Sequence, residues 1–214
     1  MAGILDLLNS EMGQQIIGGI SKETKQPQDK TASVLSMGLP ILMGAMKKNA
    51  KSEQGASGLM SALSSGKHDG SVLDNLGGFF GGGVNEEEKV DGLGILGHVL
   101  GGSQDNVVGA LSKKSGMDAN SVMQILQVAA PILLGFLGKE KRQRNVDSQS
   151  GITSLLGNMM AGNTQEEQEK EQSLIESLLD GDNDGSVIDD VAGMVLGGGK
   201  KGGLGNMIGG FFGN

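Results

Sequence analysis

Apolar residues fall at helical spacing along most of this chain. Ile4, Leu7, Leu8, Met12, Ile16, Ile17 and Ile20 mark one helical face, with glycines at 13, 18 and 19; the pattern predicts a helix broken at those glycines. Ile95, Val99, Leu100, Val107, Val108 and Leu111 draw the same face again. A turn follows each stretch, Lys25-Gln26-Pro27 and Ser115-Gly116-Met117-Asp118. Pro27 suits a first helical turn and Asp118 an N-cap. A long apolar helix is predicted next, from about Asp29 to Asn49 and from about Ala119 to Lys139. Each holds a proline, Pro40 or Pro131, which deletes one backbone hydrogen bond and bends the helix.

The pattern is a duplication. Gly3-Ile4-Leu5 returns as Gly94-Ile95-Leu96, and Pro40-Ile41-Leu42-Met43-Gly44 as Pro131-Ile132-Leu133-Leu134-Gly135, both 91 positions on. Gly58-Leu59-Met60-Ser61-Ala62-Leu63 pairs with Gly151-Ile152-Thr153-Ser154-Leu155-Leu156 at an offset of 93. Asp69-Gly70-Ser71-Val72-Leu73-Asp74 pairs with Asp184-Gly185-Ser186-Val187-Ile188-Asp189 at an offset of 115. The second copy therefore carries an acidic, Gln-rich insertion near residues 158–172. This divides the chain into modules at 1–84 and 85–199 and a Gly/Phe-rich tail at 200–214, with Asn85-Glu86-Glu87-Glu88-Lys89 as linker. The expected fold class is all-α: two related, homeodomain-like, helix-turn-helix-type modules with Gly-rich helices.

Composition narrows the chemistry. The chain lacks Cys, Trp and Tyr and has only five Phe. Its core must be Leu, Ile, Val, Met and Ala, and its 12 Met and 39 Gly favour adaptable packing with a high backbone entropy cost. A net charge of −8 argues against nucleic acid as a partner. The mostly apolar second helix of each hairpin argues against a DNA reader too, and Lys47-Lys48 and residues 139–144 are accounted for as cations near helix C-termini. No apolar run approaches the roughly 20 residues that cross a bilayer, and the N-terminus lacks a basic leader. A cytoplasmic protein is the expectation, with a membrane surface disfavoured as partner.

One ion site is suggested. Asp180-Gly181-Asp182-Asn183-Asp184-Gly185-Ser186-Val187 matches the front of a calcium loop, with acids at alternate positions and a glycine at the sharp turn. The bidentate acid expected at position twelve is replaced by Val191, leaving Asp189 and Asp190 to close the site. Copy one has Ser65, Lys67 and Asp69 in the corresponding places, so a cation is expected only in copy two. The candidate metal set is Asp180, Asp182, Asp184, Ser186, Asp189 and Asp190, with calcium as the ion and a solvated acidic turn as the rival reading. What both copies keep, Ser71 with Asp74 and Ser186 with Asp189, reads as a capping box. His68 reads as solvated and His98 as a helix-face residue. No catalytic constellation is seen, so a non-enzyme is expected.

Val107-Val108-Gly109-Ala110-Leu111-Ser112 through Asp118, the helix passing Ala130-Pro131-Ile132-Leu133, and the Asp-Gly-Ser-Val-Ile-Asp-Asp run near the C-terminus resemble the bacterial YidB-like family, domain of unknown function 937. The resemblance covers most of residues 94–196 and, more loosely, 3–83. It implies an all-α multihelical fold and no activity. The leading expectation is an interaction or assembly protein that binds itself or another protein through Gly/Met-rich helices. In the tail, Gly205, Gly209 and Gly213 form a stripe beside Leu204, Met207, Ile208 and Phe211, which reads either as a docking segment or as a frayed terminus.

Overall fold

The computed structural model describes residues 3–160, and these are all-α. Ten α-helices follow in order: α1 (Ile4–Asn9), α2 (Glu11–Thr24), α3 (Gln28–Asn49), α4 (Glu53–Ser64), α5 (Ser71–Asp74), α6 (Leu76–Gly81), α7 (Glu86–Leu100), α8 (Gln104–Ser115), α9 (Ala119–Gln143) and α10 (Gln149–Met160).

Local hydrogen bonding sets most of the starts. Ser10, Ser52, Asn75, Asn85, Asp118 and Ser148 each accept the backbone N–H three residues on, at 2.8–3.2 Å. Each satisfies an N–H that the helix itself cannot. The first predicted helix breaks at Ser10, not at its glycines. Gly13 lies inside α2, where a Cβ would run into the Leu7 and Leu8 backbone. Its absence lets α1 fold back on α2. Asn85 caps α7, and the charged run expected as a linker is that helix's first turn, where Glu86, Glu87 and Glu88 face the positive end of the dipole.

The repeat survives in three dimensions as α2/α8, α3/α9 and α4/α10. Both helix-turn-helix turns use the same devices. Lys25 and Gly116 end α2 and α8 in the left-handed region, at φ 55° and 67°. The Ser21 hydroxyl donates to the Gln26 carbonyl at 2.6 Å, and Ser112 to Met117 at 2.5 Å. The two Ser caps correct the register of α4 and α10. Ser52-x-x-Gly55 superposes on Ser148-x-x-Gly151 at an offset of 96, not 93. Buried Ala56 and Leu63 then match buried Ile152 and Met159.

Both halves share one core. α3 and α9 cross where Gly38 meets Leu126; a Cβ there would lie 2.8 Å from a Leu126 methyl. α4 packs on α9 and α10 packs on α3, so each copy covers the other's long helix. Between Thr31 and Ala50 only Ser36 is exposed, and between Ser121 and Lys141 only Gln124. Pro40 and Pro131 are buried within them. Such helices offer no free face to a DNA groove. α9 is also long and apolar enough to cross a membrane by length and composition, contrary to the expectation that no such run exists; 78% of that window is buried inside the fold. Methionine is core material too. Every methionine from 12 to 160 is buried or half-buried against the core, so the expected Met-lined binding face is absent among the described residues.

The shared turn generates a test. Lys25 carries a side chain in a backbone region that suits glycine. Lys25→Gly is expected to stabilise the protein by about 1 kcal/mol, and Gly116→Lys to destabilise it by about the same amount. Urea midpoints measured on both variants check the pair.

Candidate functional site

α7 sets one face into the core and leaves large apolar side chains on the other. Its inner face sets Ile95, Leu96 and Leu100 into the core. Gly92 is buried there, and a Cβ on it would strike the Gln127 carbonyl of α9. The Gln127 side chain donates to the Lys89 carbonyl at 2.8 Å, which sets the spacing of the two helices. The C-terminal carbonyls of His98 and Val99 accept from the Asn49 amide at 3.2 and 3.1 Å. At the other end, Lys89 reaches Glu23 of α2 at 3.1 Å, and Glu23 also accepts the Val84 N–H at 3.0 Å.

The outer face has no such partners. Val90 is 67% and Leu93 45% exposed, and these are the large apolar side chains left in solvent among the described residues. They lie three positions apart. Gly94 and Gly97 beside them have open space where a Cβ would stand. The Phe79–Phe80 pair, by contrast, is half-buried, with Phe80 stacked on Gly19 of α2.

Beneath α7 lies a polar cluster that the sequence did not reveal. His68, expected in solvent, is 7% exposed. Its Nε2 faces Asp91 Oδ2 at 2.8 Å, and its Nδ1 faces Ser65 Oγ at 3.2 Å and the Ala62 carbonyl at 3.3 Å. Ser65, His68 and Asp91 thus come into line. Ser65 Oγ, however, donates to the Ala62 carbonyl at 2.8 Å, the bond that ends α4, so its lone hydroxyl proton is already placed. The cluster ties copy one to copy two. The His68 carbonyl lies where a Cβ at Gly138 of α9 would be, and the neighbouring Lys67 pairs with Glu87 at 2.6 Å.

The sequence pattern of the bacterial family DUF937, proteins of unknown function, matches residues 6–140 and 143–214. The chain belongs to this family. The two matched stretches of the DUF937 chain meet at the end of α9. No curated protein and no solved structure matches it.

The sequence-predicted ion ligands of this DUF937 chain, Asp180, Asp182, Asp184, Ser186, Asp189 and Asp190, lie outside the described residues, as do the tail at 200–214 and most of the acidic insertion. Among the described residues no group of three His, Asp or Glu could hold a metal. Their copy-one counterparts are structural. Ser71 is not a cap, and Asp74 does not reach back to it. Gly70 precedes α5 at φ 97°, and Asp69 Oδ1 takes the Ser71 N–H at 3.0 Å. That bond holds the Asp69 carboxyl below the usual carboxylate range. Asp74 pairs instead with Lys139 at 2.8 Å. The basic run at the end of α9 is committed in the same way: Lys141 to Asp147, Arg142 to Asp69 and Arg144 to Glu140. His98 lies on a helix face, as expected, and is exposed on α7.

Glu23 gives a pH signature for the α7 anchor. Burial alone pushes its carboxyl up, but the Val84 N–H and the Lys89 ammonium outweigh burial and hold it below its ordinary value of 4.5. Lys89 is raised above its ordinary value, mainly by the same bond to Glu23. A lowered carboxyl stabilises the fold above its unfolded pKa, and the benefit disappears as pH falls through the folded value. Glu23→Gln is therefore expected to cost about 1 kcal/mol near neutrality. The difference from wild type should shrink steadily below pH 4.5. Chemical denaturation of both proteins from neutral to acid pH checks this.

Proposed function

We propose that this DUF937 chain is a non-enzymatic interaction protein that self-associates through the outer face of α7. The observation that carries the reading is the exposure of Val90 and Leu93 on a helix otherwise fixed at both ends. Solvent-facing apolar side chains next to glycines form a surface of knobs and holes, and packing against a second helix removes both from water.

Spacing fits an antiparallel pair of α7 helices about a twofold axis. Centred between Leu93 and Gly94, such a pair sets Leu93 opposite Gly94 and Val90 opposite Gly97. It also aligns the two helix dipoles head to tail. The Ser65–His68–Asp91 line supports a non-enzymatic reading, because its groups are engaged in ending α4 and anchoring α7.

Light scattering after size exclusion, over a range of concentrations, tests the proposal. Wild type is expected to dimerise. Leu93→Asp, which places two charges in the contact, is expected to weaken the dimer by about a hundredfold or more with helicity unchanged by circular dichroism. Gly97→Ile fills the hole for Val90 and should do the same. A wild type that stays monomeric at every concentration, or a Leu93→Asp dimer as tight as wild type, sinks the reading.

A further inference from the structure

The outer side of α7 carries a charged pattern beside its apolar one. Glu87, Asp91, Gly94 and His98 lie four, three and four positions apart, and so form one stripe along the helix. It runs beside Val90, Leu93 and Gly97. The two acids stand at the N-terminal end of the stripe. Glu87 Oε1 meets Lys67 at 2.6 Å, with the Glu87 side chain still 76% exposed. Asp91 Oδ2 meets His68 at 2.8 Å. His98 stands exposed at the other end. Within a turn of it on α7 and the following turn are Gly94, Ile95, Gly101 and Gly102, none of them charged. α9 packs along α7 and has no charged residue from 119 to 138. α3 and α8 also pack on α7; they bring Lys47 and Lys48 in the last turn of α3, Lys51 just beyond it, and Asp105 in the first turn of α8.

An antiparallel pair of α7 helices centred between Leu93 and Gly94 sets position 98 level with position 89 of the second copy, midway between 87 and 91. A twofold axis lays each edge of the helix against the same edge of its partner. We therefore propose that acidification tightens this pair, because each His98, once charged, lies between Glu87 and Asp91 of the second copy. The proposal rests on the α7 pairing put forward above. Imidazole is the side chain that gains its charge between about pH 8 and 5. A charge favoured by association is a proton taken up on association, so affinity rises as pH falls. The same charge offsets the negative helix end that the partner's acidic first turn would otherwise face. Lys89, at the same level, lies along the opposite edge, where Glu23 and Glu86 hold it. Lys67 and His68, behind the two acids, each occupy one oxygen of their partner. A parallel pair would place the two His98 side by side, and acidification would loosen it.

The dissociation constant of the full-length dimer, measured by sedimentation between pH 8 and 5.5, tests the sign and the residue. This window stays above the ordinary carboxylate range. Wild type is expected to tighten about tenfold towards pH 5.5, from two solvent-exposed ion pairs per dimer. His98→Gln should change less than about twofold over the same range, and His98→Lys should be as tight at pH 8 as at pH 5.5. A wild type that stays monomeric throughout removes the α7 pairing, and this proposal with it. A dimer whose affinity is constant or loosens towards pH 5.5 leaves association standing and overturns the role of His98. So does a His98→Gln dimer that tightens as much as wild type.

Discussion

The constraint on which this fold depends is that its two longest helices are apolar on nearly every side. A helix with one apolar stripe can rest on a single neighbour, but one that is apolar all round must be enclosed. α3 and α9 meet that demand by crossing one another and by exchanging covers, α4 for α9 and α10 for α3. Each copy's long helix is covered partly by its own elements and partly by those of the other copy. The duplication is therefore a division of labour within one core, with Leu35, Leu42 and Met43 from one copy and Ile125, Leu126 and Leu137 from the other all fully buried in it.

Glycine makes the enclosure possible. Gly13, Gly92 and Gly138 each stand where a Cβ would meet a neighbouring backbone carbonyl. Such positions let helices and loops approach at backbone distance. Gly94, Gly97 and Gly109 have open space instead, and carry the cost of glycine in a helix without that return. The abundance of glycine in the composition thus covers two populations. The open pair on α7 lies beside exposed Val90 and Leu93, which is why that face stands apart from the rest of the surface.

Much of this was legible in the sequence wherever the cause is local. The Asp118 cap, the prolines inside both long helices and the all-α class follow from bonds and periodicities that span a turn or two. The offset of 93 failed for a physical reason. An apolar pattern of period 3.6 looks nearly the same after a shift of three, and only the Ser52 and Ser148 caps fix the true register. The Ser71–Asp74 capping box failed because Asp69, two residues upstream, holds the Ser71 N–H while Lys139 attracts Asp74. His68 was out of reach altogether. Its partner Asp91 is 23 positions away, just beyond charges that read as a linker, and nothing in the spacing joins them.

The same distinction bears on where function lies in a duplicated protein. Differences between copies first draw attention to the acids found only in the second. The structure shows that Asp69 and Asp74, the acids both copies share, pair with Arg142 and Lys139 of α9 and so hold copy one to it. A shared acid in copy one is then evidence of architecture. Asp180 and Asp182 alone are left with no counterpart carboxylate in copy one, where Ser65 and Lys67 end a helix and pair with Glu87. The apolar face of α7 is different in kind, because it remains open after every contact among the described residues has been made.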